Sequence, residues 1–489
     1  MDDVRIVCLI FIDKFQSGMN IIHVSAECYP VAKVGGLADV AGALPKYQCQ
    51  LGHDASLVMP MHRTPFLDTH DWDVIHKGKV FMGAHGFDYT IIRESTSVLG
   101  FSLFCIDIHG LLDRDKVYGY DDDPYRFLAF QLAAIDWFKT LDHLPDLIHV
   151  HDHHSALIPF LMKHVYENEK LREIKSVLTI HNAQYQGWMD PGFLHFIPHW
   201  DDWKTGLLLW EGQINALACG IKCADRVTTV SPNYMRELHD QAHGLSVLIR
   251  EEFVKCKGIL NGIDAVVWNP ATDPMLNKNY DQLSVTEGKQ KNKEFLCKEW
   301  NLDPTLPLIV FIGRLVDDKG ADLLPGAISH FLETHPGAAS FFILGNGQFN
   351  IEKSLEQLSH QWVGYYNSQI RYNETLSHQL YASADFLIMP SRVEPCGLNQ
   401  MYALRYGTVP MICRTGGLAD TVIDVGDQGG VGLCFDRPSV SDILHTFNRA
   451  IHLFADKPTM IRLQKNMMSI NHSWEASCKE YIDLYLQIH

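Results

Sequence analysis

Two cations five residues apart, Arg314 and Lys319, lie in a glycine-flanked loop, Gly313-Arg314-Leu315-Val316-Asp317-Asp318-Lys319-Gly320, directly after an apolar run. Arginine can clamp a phosphate with two parallel bonds and lysine supplies a point charge, so together they could neutralise a diphosphate. A solvated basic loop paired with Asp317 and Asp318 is the competing reading. A second stretch, Glu394-Pro395-Cys396-Gly397-Leu398-Asn399-Gln400, sets a carboxylate before a Pro/Gly-kinked helix start. Glu394 could accept hydrogen bonds from sugar hydroxyls, and the amides of Gly397, Leu398 and Asn399 would form an anion-binding helix N-terminus. A lone Glu-Pro is otherwise only a helix-start signal.

A third stretch occurs twice. Lys33-Val34-Gly35-Gly36-Leu37-Ala38-Asp39 returns as Arg414-Thr415-Gly416-Gly417-Leu418-Ala419-Asp420, with Gly-Gly-Leu-Ala-Asp identical in both. Each copy has a cation two residues before the glycine pair and each reads as a helix opening. Gly-Gly there lets a ligand approach the backbone, and the free amides of a first helical turn favour anions. A tight strand-to-helix turn is the plainer alternative.

Histidines supply the remaining chemistry. In His149-Val150-His151-Asp152-His153-His154, four histidines around an aspartate invite a metal, but successive strand side chains face opposite ways, so His149 and Val150 cannot share a face. Metal sites carry cleaner spacing, and a polar pocket at a strand end competes with the metal. His181-Asn182-Ala183-Gln184-Tyr185-Gln186-Gly187 offers directional hydrogen bonds and a ring face suited to a sugar. A general-base role for His181 and a purely structural histidine both stay open.

These loops need strands to hold them. Short apolar runs recur at Asn20–Val24, Ser56–Met59, Phe101–Ile106, Leu147–Val150, Val177–Ile180, Val227–Val230 and Lys257–Leu260. Amphipathic stretches such as Tyr125–Lys139 and Ala156–Glu167 separate several of them. After a polar stretch to about Leu306, the alternation restarts at Leu308–Ile312, Ser340–Leu344, Asp385–Met389, Val409–Cys413 and Val431–Cys434. Strand–helix alternation predicts parallel α/β sheets, whose ligands gather beyond the carboxyl ends of the strands. The expected organisation is an extension at 1–18, a Rossmann-like domain at 19–264, and a connection with a surface helix at 265–305. A second Rossmann-like domain at 306–460 and a helical tail at 461–489, packing back on the first domain, complete it, with a central cleft between the two domains.

Composition sets the class. A length of 489 residues exceeds one ordinary core, and 46% hydrophobic with 20% charged residues describe a globular protein. A formal charge of −17 argues against nucleic acid or an anionic membrane as the main partner. Twelve scattered cysteines without a C-x-x-C pair fit a reducing compartment. Asp2 and Asp3 stand where a signal peptide needs basic residues, and no apolar run reaches membrane length, so a cytoplasmic protein is expected.

Taken together, these stretches resemble the bacterial glycogen synthase and plant starch synthase family, retaining glucosyltransferases of the GT-B type with two Rossmann-like domains. The resemblance runs through Lys33 to Leu37, His151-Asp152, His181-Asn182, Tyr185-Gln186-Gly187, Thr229-Val230-Ser231-Pro232, Asn261-Gly262-Ile263-Asp264, Gly313-Arg314-Leu315, Lys319-Gly320, Glu394 to Gln400 and Thr415 to Leu418. They occur in the family's order over nearly all of the chain. The resemblance implies transfer of glucose from ADP-glucose to the non-reducing end of an α-1,4-glucan, glycogen or starch, with no cofactor and no catalytic metal. It implies that Lys33 and the Gly35 and Gly36 amides lie near the donor diphosphate. Arg314 and Lys319 stabilise charge growing on departing ADP. Glu394 holds the donor glucose hydroxyls, with the Gly397 and Leu398 amides on the phosphate and Cys396 and Asn399 among the substrate-binding residues. His181 contacts the sugar, with its backbone carbonyl facing the reacting carbon; Asp152 and Asn261 line the sugar pocket; and Tyr120 stacks near the nucleotide. Thr415 and Gly416, in the second glycine copy, are expected to wall the donor pocket.

Retention by double displacement needs a carboxylate nucleophile, and Glu394 fits a hydroxyl clamp better, so displacement on one face is expected. Two departures stand out. His153 replaces the family's usual Trp, and Lys46-Tyr47-Gln48-Cys49-Gln50 is less helix-typical than the family's alanine-rich equivalent. The alternatives are a related transferase using UDP-glucose or a small acceptor, an inactive glucan-binding scaffold, and a phosphorylase, for which no pyridoxal-phosphate lysine stretch is evident.

Overall fold

The computed structural model describes residues 18–488; the expected extension at 1–18 lies, apart from Gly18, outside the described residues. The chain forms two compact units. The first takes the chain up to Val230, then Met235–Ile259 and Ser477 onward, and the second takes Ser231–Tyr234 and Leu260–Ala476.

The second unit is the simpler. Its six strands lie in the order Tyr366–Ile370, Ser340–Gly345, Leu308–Ile312, Phe386–Met389, Val409–Cys413 and Leu433–Phe435, all parallel. Numbered along the chain, that order is 3-2-1-4-5-6, the doubly wound arrangement. Its direction reverses between Leu308–Ile312 and Phe386–Met389, so the loops after those two strands diverge and leave room for a ligand. Both strands are covered on two faces, which is why they read as unbroken apolar runs rather than alternating ones. Tyr366–Ile370, with sequence YNSQI, is a half-buried edge strand and gives no such run.

The first unit repeats this plan with an addition. Its nine-stranded sheet runs Cys256–Gly258, Arg226–Thr229, Lys175–Ile180, Leu147–His151, Asn20–Val24, Asp54–Pro60, Ser102–Asp107, His85–Glu94 and Trp72–Met82. The first seven are mutually parallel and the last two form an antiparallel hairpin on one edge. The hairpin was not among the expected strands because much of Trp72–Met82 is exposed, with charged and glycine residues breaking any apolar run. Here the order reverses between Asn20–Val24 and Leu147–His151, and the loops that follow carry Lys33 and Asp152. Strand register places His23 directly beside His149.

The polar helix expected to ride on the surface is Val285–Glu299, and it is anchored in the second unit. Its Lys289 is buried with Nζ donating to the carbonyls of Tyr381 and Tyr406 and to Thr408, and its Lys293 pairs with Asp385 at 2.6 Å. Burial pushes the Lys289 amine down to about 7. The helix reads as surface-like because two of its buried positions are lysines whose long stems reach internal carbonyls.

Candidate active site

In the second unit the loops after the two switch-point strands are stapled together. The amide of Arg392 donates to the Asp318 carbonyl at 2.8 Å, and its guanidinium forks onto Asp322 at 2.6 and 2.8 Å. At Gly320, in the left-handed region with φ +66°, a Cβ would stand 2.1 Å from the Pro390 carbonyl oxygen, so only glycine allows these two backbones to meet. This staple brings Lys319 Nζ to 2.5 Å from Glu394 Oε1, while Ser391 donates to Glu394 Oε2 at 3.0 Å. The carboxylate is buried and both of its oxygens are held. The Asp317 and Asp318 side chains do not take Lys319, since Asp317 accepts from Gln348 instead. Arg314 is exposed, and among the described residues its guanidinium has no hydrogen bond or ion pair. A cation left unpaired beside a paired Lys–Glu is suited to an incoming dianion.

The remaining second-unit residues gather at the same strand ends. Gly397 has φ +73°, and the amides of Gly397 and Leu398 have no acceptor among the described residues, leaving them available to an anion. Asn399 turns its side-chain amide onto the Ile312 carbonyl at 2.6 Å, tying its helix start to the first switch-point strand. The Cys396 thiol sits on the Asn261 backbone, and burial pushes it up to about 12. Asn261 Oδ1 is buried without a partner. Thr415 Oγ1 lies 3.5 Å from the Arg392 carbonyl, and Gly416 packs under Glu394, its missing Cβ 2.0 Å from the Glu394 carbonyl oxygen.

In the first unit, Lys33 is exposed and pairs with Asp39 at 2.6 Å, with its ammonium 5.2 Å from the centre of the Tyr29 ring. The expected free amides of this glycine loop are partly occupied. Buried Glu27 accepts from Val34 at 2.5 Å and from Gly35 at 2.9 Å, and Tyr118 donates to its other oxygen. A carboxylate thus already fills the anion position at two amides, and the sequence reading did not single out Glu27. Asp152 stands at φ +54°, a strained conformation for a non-glycine residue, and accepts the His181 and Asn182 amides. Among the described residues no cation reaches Asp152, and burial pushes its carboxyl up to about 7. Around Tyr120 the Arg114 and Arg126 guanidinium carbons lie 4.9 and 4.7 Å from the ring centre, so cations already engage the ring. His153 is half-buried against His154, with ring centres 3.7 Å apart, and borders a cavity of about 80 Å³ lined also by Asp123, Gln131 and Gly187.

Behind Asp152 the histidines form a buried ladder. His149 and His151, two apart on one strand, share a face with His23 of the next strand, and their candidate ligand atoms lie within 4.8 Å of one another. All six ring nitrogens are taken by protein groups. His23 contacts Gln48 (2.8 Å) and His151 (3.1 Å). His151 also contacts His181 (3.0 Å), and His149 contacts Tyr485 and Thr179 (2.6 Å each). The strand argument had separated His149 from Val150 but missed that His149 and His151 then face the same way.

Comparisons with known proteins agree with this arrangement. Residues 20–251 match the model of the starch synthase catalytic domain and residues 292–466 that of glycosyl transferases group 1. A glycogen synthase of Flavobacterium johnsoniae is 50% identical over 96% of this chain and 98% of its own length. A glycogen synthase of Streptococcus pneumoniae is 37% identical over 96% and 99%. Among solved structures, the catalytic domain of starch synthase IV from Arabidopsis thaliana, bound to ADP and acarbose, superposes with a TM-score of 0.87 at 31% identity, covering 96% of this chain and 99% of that one. Sucrose-phosphate synthase from Thermosynechococcus elongatus, at 16% identity and a TM-score of 0.60, shares the fold. No helix among the described residues is long and apolar enough to cross a membrane. The two parallel-sheet units are those of a GT-B glycosyltransferase, and the chain belongs to the glycogen and starch synthase family.

Proposed function

We propose that the chain transfers glucose from ADP-glucose to the non-reducing end of an α-1,4-glucan with retention of configuration, in the cytoplasm. The observation that carries this reading is the charge arrangement at the second unit's switch point. A buried Glu394 is held by Lys319 and Ser391, beside an unpaired Arg314 and the unoccupied amides of Gly397 and Leu398. In this reading the diphosphate takes the amides and Arg314. As the glycosidic bond breaks, Arg314 and Lys319 meet the charge growing on the leaving ADP, a term each such group supplies at roughly 10²–10³ in rate. The unpartnered Asn261 Oδ1 of the same unit is free to accept from a donor hydroxyl. Because the starch synthase IV catalytic domain was solved with ADP and acarbose, an adenine nucleotide and an oligosaccharide-like acceptor are the natural first ligands to try.

The state of Glu394 supports retention without a covalent intermediate. Both oxygens are already engaged, which suits a fixed acceptor of sugar hydroxyl hydrogen bonds and not a free nucleophile. The leaving phosphate then accepts the proton of the attacking glucan hydroxyl on the same face. Purified protein with ADP-[14C]glucose and glycogen is expected to label the polymer, with unlabelled UDP-glucose competing poorly. No incorporation from any nucleotide sugar would support a glucan-binding scaffold instead. Glu394→Gln is expected to lower turnover without trapping a glucosyl-enzyme, and a covalent adduct on Glu394 in the mass spectrum would overturn same-face displacement.

A further inference from the structure

We propose that Gln48, His23 and His151 form a one-way hydrogen-bond chain that fixes the ring tautomer of His181, leaving His181 Nδ1 as a bare acceptor for a substrate hydroxyl. The three are positioning residues, and the inference deepens the transferase reading on which it rests.

The chain is continuous. Gln48 Oε1 lies 2.8 Å from His23 Nε2, His23 Nδ1 lies 3.1 Å from His151 Nε2, and His151 Nδ1 lies 3.0 Å from His181 Nε2. Gln48, His23, His149 and His151 have no solvent exposure, and His181 keeps 8%. Burial pushes His23 down to about 4 and His181 to about 3, and holds His149 and His151 well below the ordinary range, so every ring is neutral at physiological pH. A neutral imidazole has one N–H and one lone pair, so a row of such rings has only two possible polarities and one end decides for all.

Gln48 is that end. Its amide nitrogen donates to the Tyr485 hydroxyl at 3.2 Å, which turns its carbonyl oxygen to His23. A carbonyl only accepts, so His23 Nε2 carries the hydrogen and its Nδ1 is a lone pair. His151 Nε2–H then donates to His23, and His181 Nε2–H donates to His151. The side branch closes with the same sense: Tyr485 donates to His149 Nδ1, His149 Nε2–H donates to Thr179, and Thr179 donates to Thr228, whose hydroxyl oxygen is 2.6 Å away. Each donor finds one acceptor. All four rings are therefore Nε2–H tautomers, and only His181 Nδ1 is left without a protein partner among the described residues.

Three consequences follow. A metal at His23, His149 and His151 would have to take one nitrogen from each ring, and every one of those nitrogens is already in a hydrogen bond. His181 is neither a cation nor an N–H donor toward substrate, so a general-acid role is excluded for it. A donor-sugar hydroxyl meeting Nδ1 must donate its own hydrogen, which makes the site selective for a hydroxyl over a fluorine at that position, since fluorine cannot donate.

The test uses the full-length protein with 15N-labelled histidine rings, without substrate, so that its result is independent of transferase activity. Ring-nitrogen NMR is expected to find His23, His149, His151 and His181 all protonated at Nε2 and bare at Nδ1. An Nδ1–H form at His181, an imidazolium, or a stoichiometric metal shifting these signals overturns the proposal. Gln48→Glu makes the opposite prediction. Its carboxylate draws a second proton onto His23, reversing the row so that His151 and His181 become Nδ1–H. Catalysis by that variant is expected to fall about tenfold in kcat/KM for the normal donor, the equivalent of one hydrogen bond. Across singly deoxyfluorinated donors, the one analogue most impaired with the parent protein is expected to lose that handicap in the variant. If Gln48→Glu does not fold, Tyr485→Phe serves: freed from the hydroxyl, the amide can turn over and the rings are expected to show both tautomers. Tautomers unchanged in the variants that fold would defeat the chain even if glucan synthesis were confirmed.

Discussion

The same five residues, Gly-Gly-Leu-Ala-Asp, serve opposite purposes in the two units. At Gly35 and Gly36 a Cβ would meet nothing within 4 Å, and Gly36 is exposed. At Gly416, with φ +44°, and at Gly417, a Cβ would come within 2.0 Å of the Glu394 carbonyl oxygen and 2.2 Å of the Cys396 carbonyl oxygen. The Gly417 amide donates to the Glu394 carbonyl at 3.1 Å. One pair is open to whatever binds, and the other is the surface on which the Glu394 loop is shaped. Glycine is needed in the first for approach from outside and in the second for approach from within. The preceding cations diverge likewise: Lys33 stays on its own loop with Asp39, whereas Arg414 pairs with Asp436. Identical sequence here specifies a strand-to-helix turn and leaves its use to the neighbours.

The contrast can be broken at several points. Gly416→Ala combines a left-handed backbone with a backbone overlap that no side chain can relieve, so it is expected to cost about 3 kcal/mol in denaturant unfolding. Unaltered stability would mean that the second copy is not packed as described. Lys33→Ala is expected to lower kcat roughly 10²-fold with the unfolding midpoint unchanged, while Arg414→Ala leaves kcat alone; equal losses would restore the symmetry between the two copies.

The acids beside the two loops also differ. Glu394 has its lysine, whereas Asp152 has only backbone donors and holds its proton up to about 7. An unfolded chain gives up that proton near pH ~4, so native stability drains as pH rises between about 4 and 7 and levels off above. Asp152→Asn removes that drain. Its stability relative to the parent is expected to grow by on the order of 4 kcal/mol across the window, and a difference flat with pH would remove Asp152 from the contrast. The smallest expected effect is that of Gly36→Ala: within about 1 kcal/mol in stability, with any kinetic change confined to KM for the donor.

Much of this was legible beforehand, for physical reasons. Buried parallel strands such as Leu308–Ile312 and Leu147–His151 announce themselves as apolar runs, and strand–helix alternation implies the sheets that carry Lys33, Arg314 and Glu394 at their carboxyl ends. What escaped was carried by tertiary contact. Glu27 is one acidic residue in an ordinary loop until the fold brings it onto two amides seven and eight residues later. Arg392 and Ser391 acquire meaning only when the two switch-point loops meet. Gln48 looked like a poor helix former, and its value lies in reaching His23 and Tyr485, 25 and 437 residues away in sequence. Spacing reports which side chains share a face of one element; it carries no information on what the next element brings.

The return of Ser477 onward to the first unit has a consequence for synthesis. Domains commonly fold as they leave the ribosome, the earlier before the later. Here the earlier unit lacks Tyr485, and with it the hydroxyl that orients Gln48 and meets His149, until the whole of the later unit has been translated. A nascent chain stalled before that point would display a nearly finished sheet with an unclosed polar interior, a state for a chaperone to hold. The order of assembly is thereby inverted: the half that starts first is completed last.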